Sequence, residues 1–304
     1  MSDCGKIRRQ LKRLVYSKKL TAEQSLENYK TFFNDAFLPN QADCSNAVFA
    51  GKKTLIITPV VKNAKNCVLY FHGGFFHFGS QKAYMSFAAS LANACQGEVI
   101  LPEITPATKK AFPSQLEEAY ALYQSLLQSS EFANYDFVFA GDGTGANLCL
   151  ALALYLKDKN EKLPLGLSLI SPLVKMETEK AKLKDALLTN ELLEIYIKNY
   201  LGEKDARNPL ISPVFADEKN LQDLPKIFIQ VGKNEFLFAQ TKDFIAKLEN
   251  ANVPYELQSF LNTWHMFQLF PDHCDQAHIA IEHFAKKIME IFSGNFGKKN
   301  DKRN

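Results

Sequence analysis

The sequence predicts an α/β protein, a mostly parallel sheet with helices on both faces. Short continuous apolar runs recur along the chain, as strands buried on both faces require. Stretches with helical spacing of apolar residues lie between them, which makes each crossover a helix. A third observation is local. "VFAGDGTGANL", residues 138–148, reads as a strand entering a helix through a glycine-rich turn. Sites in such sheets form at the carboxyl ends of strands.

In chain order, residues 6–17 and 21–38 read as two short helices. Strand-like runs follow at 54–61, 67–74, 97–104, 136–143, 166–173, 226–233 and 255–260. Helical spacing marks 81–95, 114–129, 145–158, 187–201, 236–250 and 275–292; the helix at 114 starts on a Pro-Ser pair. Residues 174–225 hold a helix but no good strand, and read as an insertion over the carboxyl edge of the sheet. The expected organisation is one domain of 304 residues, with a cap from about 1–45 and 176–210. The core spans about 46–175 and 211–293, and 294–304 form a disordered basic tail.

Composition narrows the function classes. Nearly half the residues are hydrophobic, enough for a large core. The net charge of +3 is concentrated at the ends, with Lys6, Arg8, Arg9, Lys12, Arg13, Lys18 and Lys19 set against Asp3. Aromatic residues are not interleaved with these cations as a nucleic-acid site would want, so they read as a solvated helix face rather than a nucleic-acid or membrane site. No stretch is apolar enough to span a bilayer, and the N-terminus lacks the apolar region of a signal peptide. Cytoplasmic residence is expected. Cys4, Cys44, Cys67, Cys95, Cys149 and Cys274 form no C-x-x-C pair and are expected to be reduced packing residues. Cys274 and His278 share a helical face, but His283 lies off it, so neither a metal nor a cofactor is expected.

Chemistry gathers at three strand ends. In "YFHGGFFHFGS" (70–80) the glycines let backbone N–H groups approach a developing oxyanion. Gly141-Asp142-Gly143-Thr144-Gly145 has the build of a nucleophile elbow, with glycines where strand and helix crowd each other. Glu235 and His265 follow successive strands, thirty residues apart. A carboxylate on one imidazole nitrogen fixes the tautomer and leaves the other nitrogen free as a base. Elbow, acid, histidine is the chain order of an α/β-hydrolase.

These segments, with "AFPSQLEEAYALYQSLL", "NPLISPVFAD", "VGKNEFL" and "NTWHMF", resemble the hormone-sensitive-lipase family of α/β-hydrolases over nearly the whole chain. The resemblance implies an eight-stranded sheet with strand 2 antiparallel, a helical cap, and ester hydrolysis without metal or cofactor. It also implies an oxyanion hole from Gly74, Phe75 and Thr144, and a pocket near His72, Gly73, Phe76, Asp142 and Trp264.

The chain departs from that pattern where a serine is expected, at Gly143, which has no atom to form an acyl-enzyme. Phe75 replaces the third glycine of the oxyanion run. His265 is expected to aim a ring nitrogen at Gly143, with Glu235 on the other, across a gap the size of a hydroxymethyl group. Trp264 is expected to report ligand binding by its fluorescence. Three functions fit. One is a pseudo-esterase that binds a small apolar or acyl-bearing ligand, a protein partner or a second copy as a homodimer. Another is an elimination catalyst using His265, Glu235 and the oxyanion hole. The last is an active carboxylic ester hydrolase whose serine was replaced by Gly143.

Overall fold

The structure is a computed structural model that describes residues 3–17, 19–33, 42–62, 65–177, 187 and 190–297. Two helices come first, α1 (Asp3–Leu14) and α2 (Ala22–Phe32). In α1, Cys4, Ile7 and Leu11 face inward, while Lys6, Arg8, Arg9, Lys12 and Arg13 are exposed. Thr21 and Gln24 close a capping box at the start of α2, satisfying donors that a helix N-terminus leaves unpaired. Residues 34–38, expected to continue this helix, lie outside the described residues.

The sheet has eight strands: β1 (Ala42–Phe49), β2 (Lys52–Pro59), β3 (Asn66–Phe71), β4 (Glu98–Pro102), β5 (Asp136–Asp142), β6 (Gly166–Ile170), β7 (Lys226–Gly232) and β8 (Tyr255–Phe260). Their spatial order is β1-β2-β4-β3-β5-β6-β7-β8. From β4 to β8 neighbouring strands are parallel, and β2 runs antiparallel to both of its neighbours. The central strands are mostly apolar and, apart from Asp136 at the start of β5, buried, because helices cover them on both sides. The helices after α2 are α3 (Gln81–Cys95), α4 (Ser114–Gln128), α5 (Gly143–Asp158), α6 (Asn190–Leu201), the short α7 (Glu218–Leu221), α8 (Leu237–Asn250) and α9 (Asp275–Phe292). None among the described residues is long and apolar enough to cross a membrane.

Four findings differ from the sequence reading. β1 has no counterpart in it, because this edge strand is largely exposed and its residues, ADCSNAVF, make no apolar run. It also begins at Ala42, inside the stretch assigned to the cap. The basic tail was placed from 294, but Phe296 packs against the core with Lys287 over its ring; residues 298–304 lie outside the described residues.

The fourth correction concerns the cysteines. Cys4 and Cys274, 270 residues apart in sequence, form a disulfide. A bridge between the two ends of the chain leaves no local spacing to read. The other four are free thiols, with Cys67, Cys95 and Cys149 buried. Burial raises their pKa, that of Cys95 to about 12.

Candidate active site

β5 ends at Asp142, and α5 starts at the next residue. So sharp a reversal puts Gly143 in the left-handed region, at φ +49°, where glycine is at ease. The flanking glycines are forced by contact. A Cβ on Gly145 would lie 1.9 Å from the Phe71 carbonyl oxygen, and one on Gly141 2.6 Å from the same atom. Helix α5 therefore rides directly on β3. Asn147, one turn into α5, donates to the carbonyls of Leu173 and Ile211, tying the turn to the loops around it.

His265 faces this turn. A Cβ on Gly143 would stand 3.1 Å from its Nε2 and 3.2 Å from its Cε1. That is tighter than an ordinary contact, so the gap is narrower than the expected hydroxymethyl group. With only hydrogens on the Gly143 α-carbon, the ring sits closer to the backbone. Nδ1 lies 3.1 Å from Glu235 Oε2. Glu235 is buried, and its other oxygen accepts from the Gly232 N–H at 2.7 Å and the Ser171 hydroxyl at 2.9 Å. A Cβ at 232 would lie 2.6 Å from that oxygen, so a side chain there would displace the Glu235 carboxylate. Ser171 escaped sequence reasoning, since its position carries no motif of its own, and Gly232 lies in the VGKNEFL segment without its contact to Glu235 being legible there.

Asp142 organises the other wall. It is fully buried and accepts from the Gly73 N–H (2.9 Å), the Tyr70 hydroxyl (3.0 Å) and the Tyr84 hydroxyl (2.9 Å). Burial raises its pKa above the ordinary aspartate value, opposed by the charge of His265 and by these hydrogen bonds. The hydroxyls of Tyr70 and Tyr84 are pushed well up, chiefly by burial and then by the Asp142 charge.

The glycine-rich segment after β3 turns through Gly74 at φ +102°, Phe75 at +58° and Phe76 at +52°. Two successive left-handed phenylalanines are costly, on the order of 1–3 kcal/mol each. Packing offsets the cost. Phe75 stacks on Tyr196 at 5.2 Å and Phe76 on Tyr200 at 4.2 Å, two rings one turn apart on α6. The Phe76 N–H donates to the Thr144 hydroxyl at 3.2 Å. The N–H groups of Gly74 and Phe75 have no acceptor among the described residues. That of Thr144 lies in the first turn of α5, where a helix has no internal acceptor. These are the three donors expected of an oxyanion hole.

Beside His265 lies a cavity of about 30 Å³, bounded by Gly74, Phe75, Tyr84, Asp142 and Met266 and by four residues of the N-terminal segment, Leu11, Tyr16, Tyr29 and Phe33. Phe75 and Asp142 line the cavity, but His72, Gly73, Phe76 and Trp264 do not. His72 stacks on Tyr84 and fills the space against Gly79, whose Cβ would lie 2.2 Å from its Nδ1. Gly73 is glycine because a side chain would collide with Asp142. Phe76 is committed to Tyr200, and Trp264 is buried against Phe267. Cys274 is bonded to Cys4, and among the described residues no cluster of three or more metal-ligating side chains exists.

A sheet of this order, a sharp turn at the end of its middle strand and an acid–histidine pair brought up by the loops after β7 and β8 define an α/β-hydrolase. The profile of the family described as "alpha/beta hydrolase fold" matches residues 68–269, and the chain belongs to that family. It is similar to an esterase of Acinetobacter venetianus, 34% identical over 214 residues covering 68% of this chain and 69% of that protein. An acetyl-hydrolase of Streptomyces hygroscopicus is 28% identical over 220 residues, 71% of this chain and 72% of its own. Among solved structures, an esterase from the bacterial hormone-sensitive lipase family shares the fold, with a TM-score of 0.86 at 23% identity, covering 95% of this chain and 97% of that one.

Proposed function

We propose that this protein is a pseudo-esterase of the hormone-sensitive-lipase type, which binds a small apolar or acyl-bearing ligand and does not hydrolyse it. The observation that carries the reading is the pairing of His265 Nε2 with an α-carbon that bears no side chain, while Glu235 holds the other nitrogen. A base in that place has no hydroxyl to activate. The hydroxyl of Thr144 is not a substitute, since it accepts from the Phe76 N–H on the other side of the turn. The family and the esterase relatives support the ancestry of the site. The cavity lies an order of magnitude below the roughly 300 Å³ at which ligand pockets begin. Ligand binding therefore requires the N-terminal segment to move.

The test is denaturing extraction of the purified protein, with mass spectrometry of whatever is released. A small acyl or aromatic compound recovered from wild type, and lost from a Phe75→Trp variant that fills the cavity, is expected. Recovery of nothing, together with no binding of short acyl esters or aromatic carboxylates in calorimetry, would overturn the reading.

A second reading is favoured by one observation. The Glu235 carboxylate is held by Gly232 and Ser171 as firmly as a working base needs, and a simple binder has no use for that. In an elimination, His265 would take a proton while the Gly74, Phe75 and Thr144 N–H groups held the developing oxyanion. Turnover of a β-hydroxy carbonyl compound that disappears in His265→Ala would establish it.

A further inference from the structure

One wall of the cavity beside His265 is made by a single piece of chain. Leu11 and Tyr16 reach it from α1 and the turn after it, and Tyr29 and Phe33 from α2 and its end. This segment rests on the body through rings: Tyr16 and Tyr29 against Phe78, and Phe32 and Phe33 against Phe270. Asn28 ties α2 to the end of α1 through the Leu14 carbonyl, so the two helices move together. One covalent tie exists among the described residues, and it is placed at the far end of α1. Cys4 is bonded to Cys274, the residue just before α9, which lies four positions after the cavity residue Phe270.

We propose that the Cys4–Cys274 disulfide is a redox latch that holds the N-terminal helices over this cavity, so that ligand access follows the oxidation state of one cysteine pair. The proposal rests on the reading of the cavity as the ligand site. Aromatic contacts between segments are individually weak, about 0.5–1.5 kcal/mol each beyond the area they bury. A segment held by such contacts opens locally without unfolding the domain; a covalent tie at its outer end suppresses that opening.

The chemistry is thiol–disulfide exchange. Cys4 is partly exposed, whereas Cys274 is buried. A thiolate of a small dithiol attacks the Cys4 sulfur, and Cys274 leaves as a thiolate and takes up a proton. The second thiol of the dithiol closes on the mixed disulfide and releases Cys4. Two electrons and two protons pass to the protein, and the dithiol becomes a cyclic disulfide. Closing reverses these steps, with a small-molecule disulfide as the electron acceptor.

Hydrogen exchange on the full chain, read by mass spectrometry, tests the latch. The air-oxidised protein, the protein treated with tris(2-carboxyethyl)phosphine, and the Cys4→Ser and Cys274→Ser variants are compared. A non-reducing peptide map is expected to contain the Cys4–Cys274 cross-link. Reduction is expected to speed exchange in residues 3–33 at least tenfold, with α5 unchanged as the control for folding. Both variants are expected to exchange like the reduced protein and to ignore reductant. Binding of p-nitrophenyl butyrate, measured in parallel, should rise with the exchange rate. Free thiols at both positions in the oxidised protein, or exchange in residues 3–33 that is indifferent to reduction, overturn the latch. Faster exchange with no gain in binding leaves the helices latched but overturns the claim that the latch controls access, and with it the reading of the cavity as a ligand site.

Discussion

Putting serine at position 143 is expected to restore histidine-dependent ester hydrolysis. The new Cβ would stand 3.1 Å from His265 Nε2, so the ring must retreat by a few tenths of an ångström. Its hydrogen bond to Glu235, at 3.1 Å, has room to shorten as it does so. Serine must also accept φ near +49°, which glycine holds freely, at a cost of about 1–3 kcal/mol in folding stability. Against this stand parts that need no rebuilding: an oriented base, and N–H donors at Gly74, Phe75 and Thr144. An acyl-transfer site without its nucleophile keeps only the residual acceleration of its oxyanion hole and binding, about 10³–10⁴-fold over water. Returning the nucleophile is expected to recover roughly 2–4 kcal/mol of transition-state stabilisation, about 30-fold to 10³-fold in rate. The assay is hydrolysis of p-nitrophenyl acetate and butyrate by Gly143→Ser in a Cys4→Ser background, so that the N-terminal helices are free to move. The control adds His265→Ala. A folded variant no faster than its His265→Ala counterpart on either ester refutes the reasoning, and Phe75→Gly then shows whether the oxyanion donors are at fault.

Three further outcomes follow from the packing and the electrostatics. Tyr196→Ala removes the ring under Phe75 and His77, and is expected to lower stability by about 3–5 kcal/mol in urea melts and to enlarge the cavity enough to admit an apolar dye. Gly145→Ala drives a methyl into the Phe71 carbonyl, and is expected to cost more than about 4 kcal/mol or to prevent soluble expression. Burial raises the folded pKa of Asp142 above the ordinary aspartate value of 3.8. The folded state therefore binds more protons than the unfolded state between that value and the raised one, and the contribution of Asp142 to stability falls as pH rises through this window. Asp142→Asn lacks this term, so the stability of wild type minus that of the variant should decline across a urea-melt series started near pH 4.

Much of the sheet was legible because buried parallel strands leave apolar runs bounded by turn residues. β2 to β7 each have such a run, β8 is half-buried with polar residues between its apolar ones, and β1, exposed along most of its length, has none. The chain order of turn, acid and histidine was also legible, since it depends only on which strands they follow. The supports of that site were not. Ser171, just after β6, reaches Glu235 through a close approach of β6 and β7 that has no one-dimensional signature, and Gly232 reaches it within the turn that ends β7. The pocket lining was hardest to foresee. Four of its side chains come from residues 11–33, and their position depends on how aromatic helices settle on the body. Trp264 illustrates the same limit. Beside His265 in sequence, it turns into the core against Phe267, so its emission should be blue-shifted and insensitive to ligand.

The central claim is that the base is intact and the nucleophile is missing. Pre-steady-state hydrolysis of p-nitrophenyl acetate by the unmodified protein, reduced with tris(2-carboxyethyl)phosphine and compared with His265→Ala under the same conditions, tests it most directly. The account predicts no burst of nitrophenolate and equal rates for the two proteins. A burst approaching one equivalent per chain, or steady turnover that vanishes with His265, would contradict it.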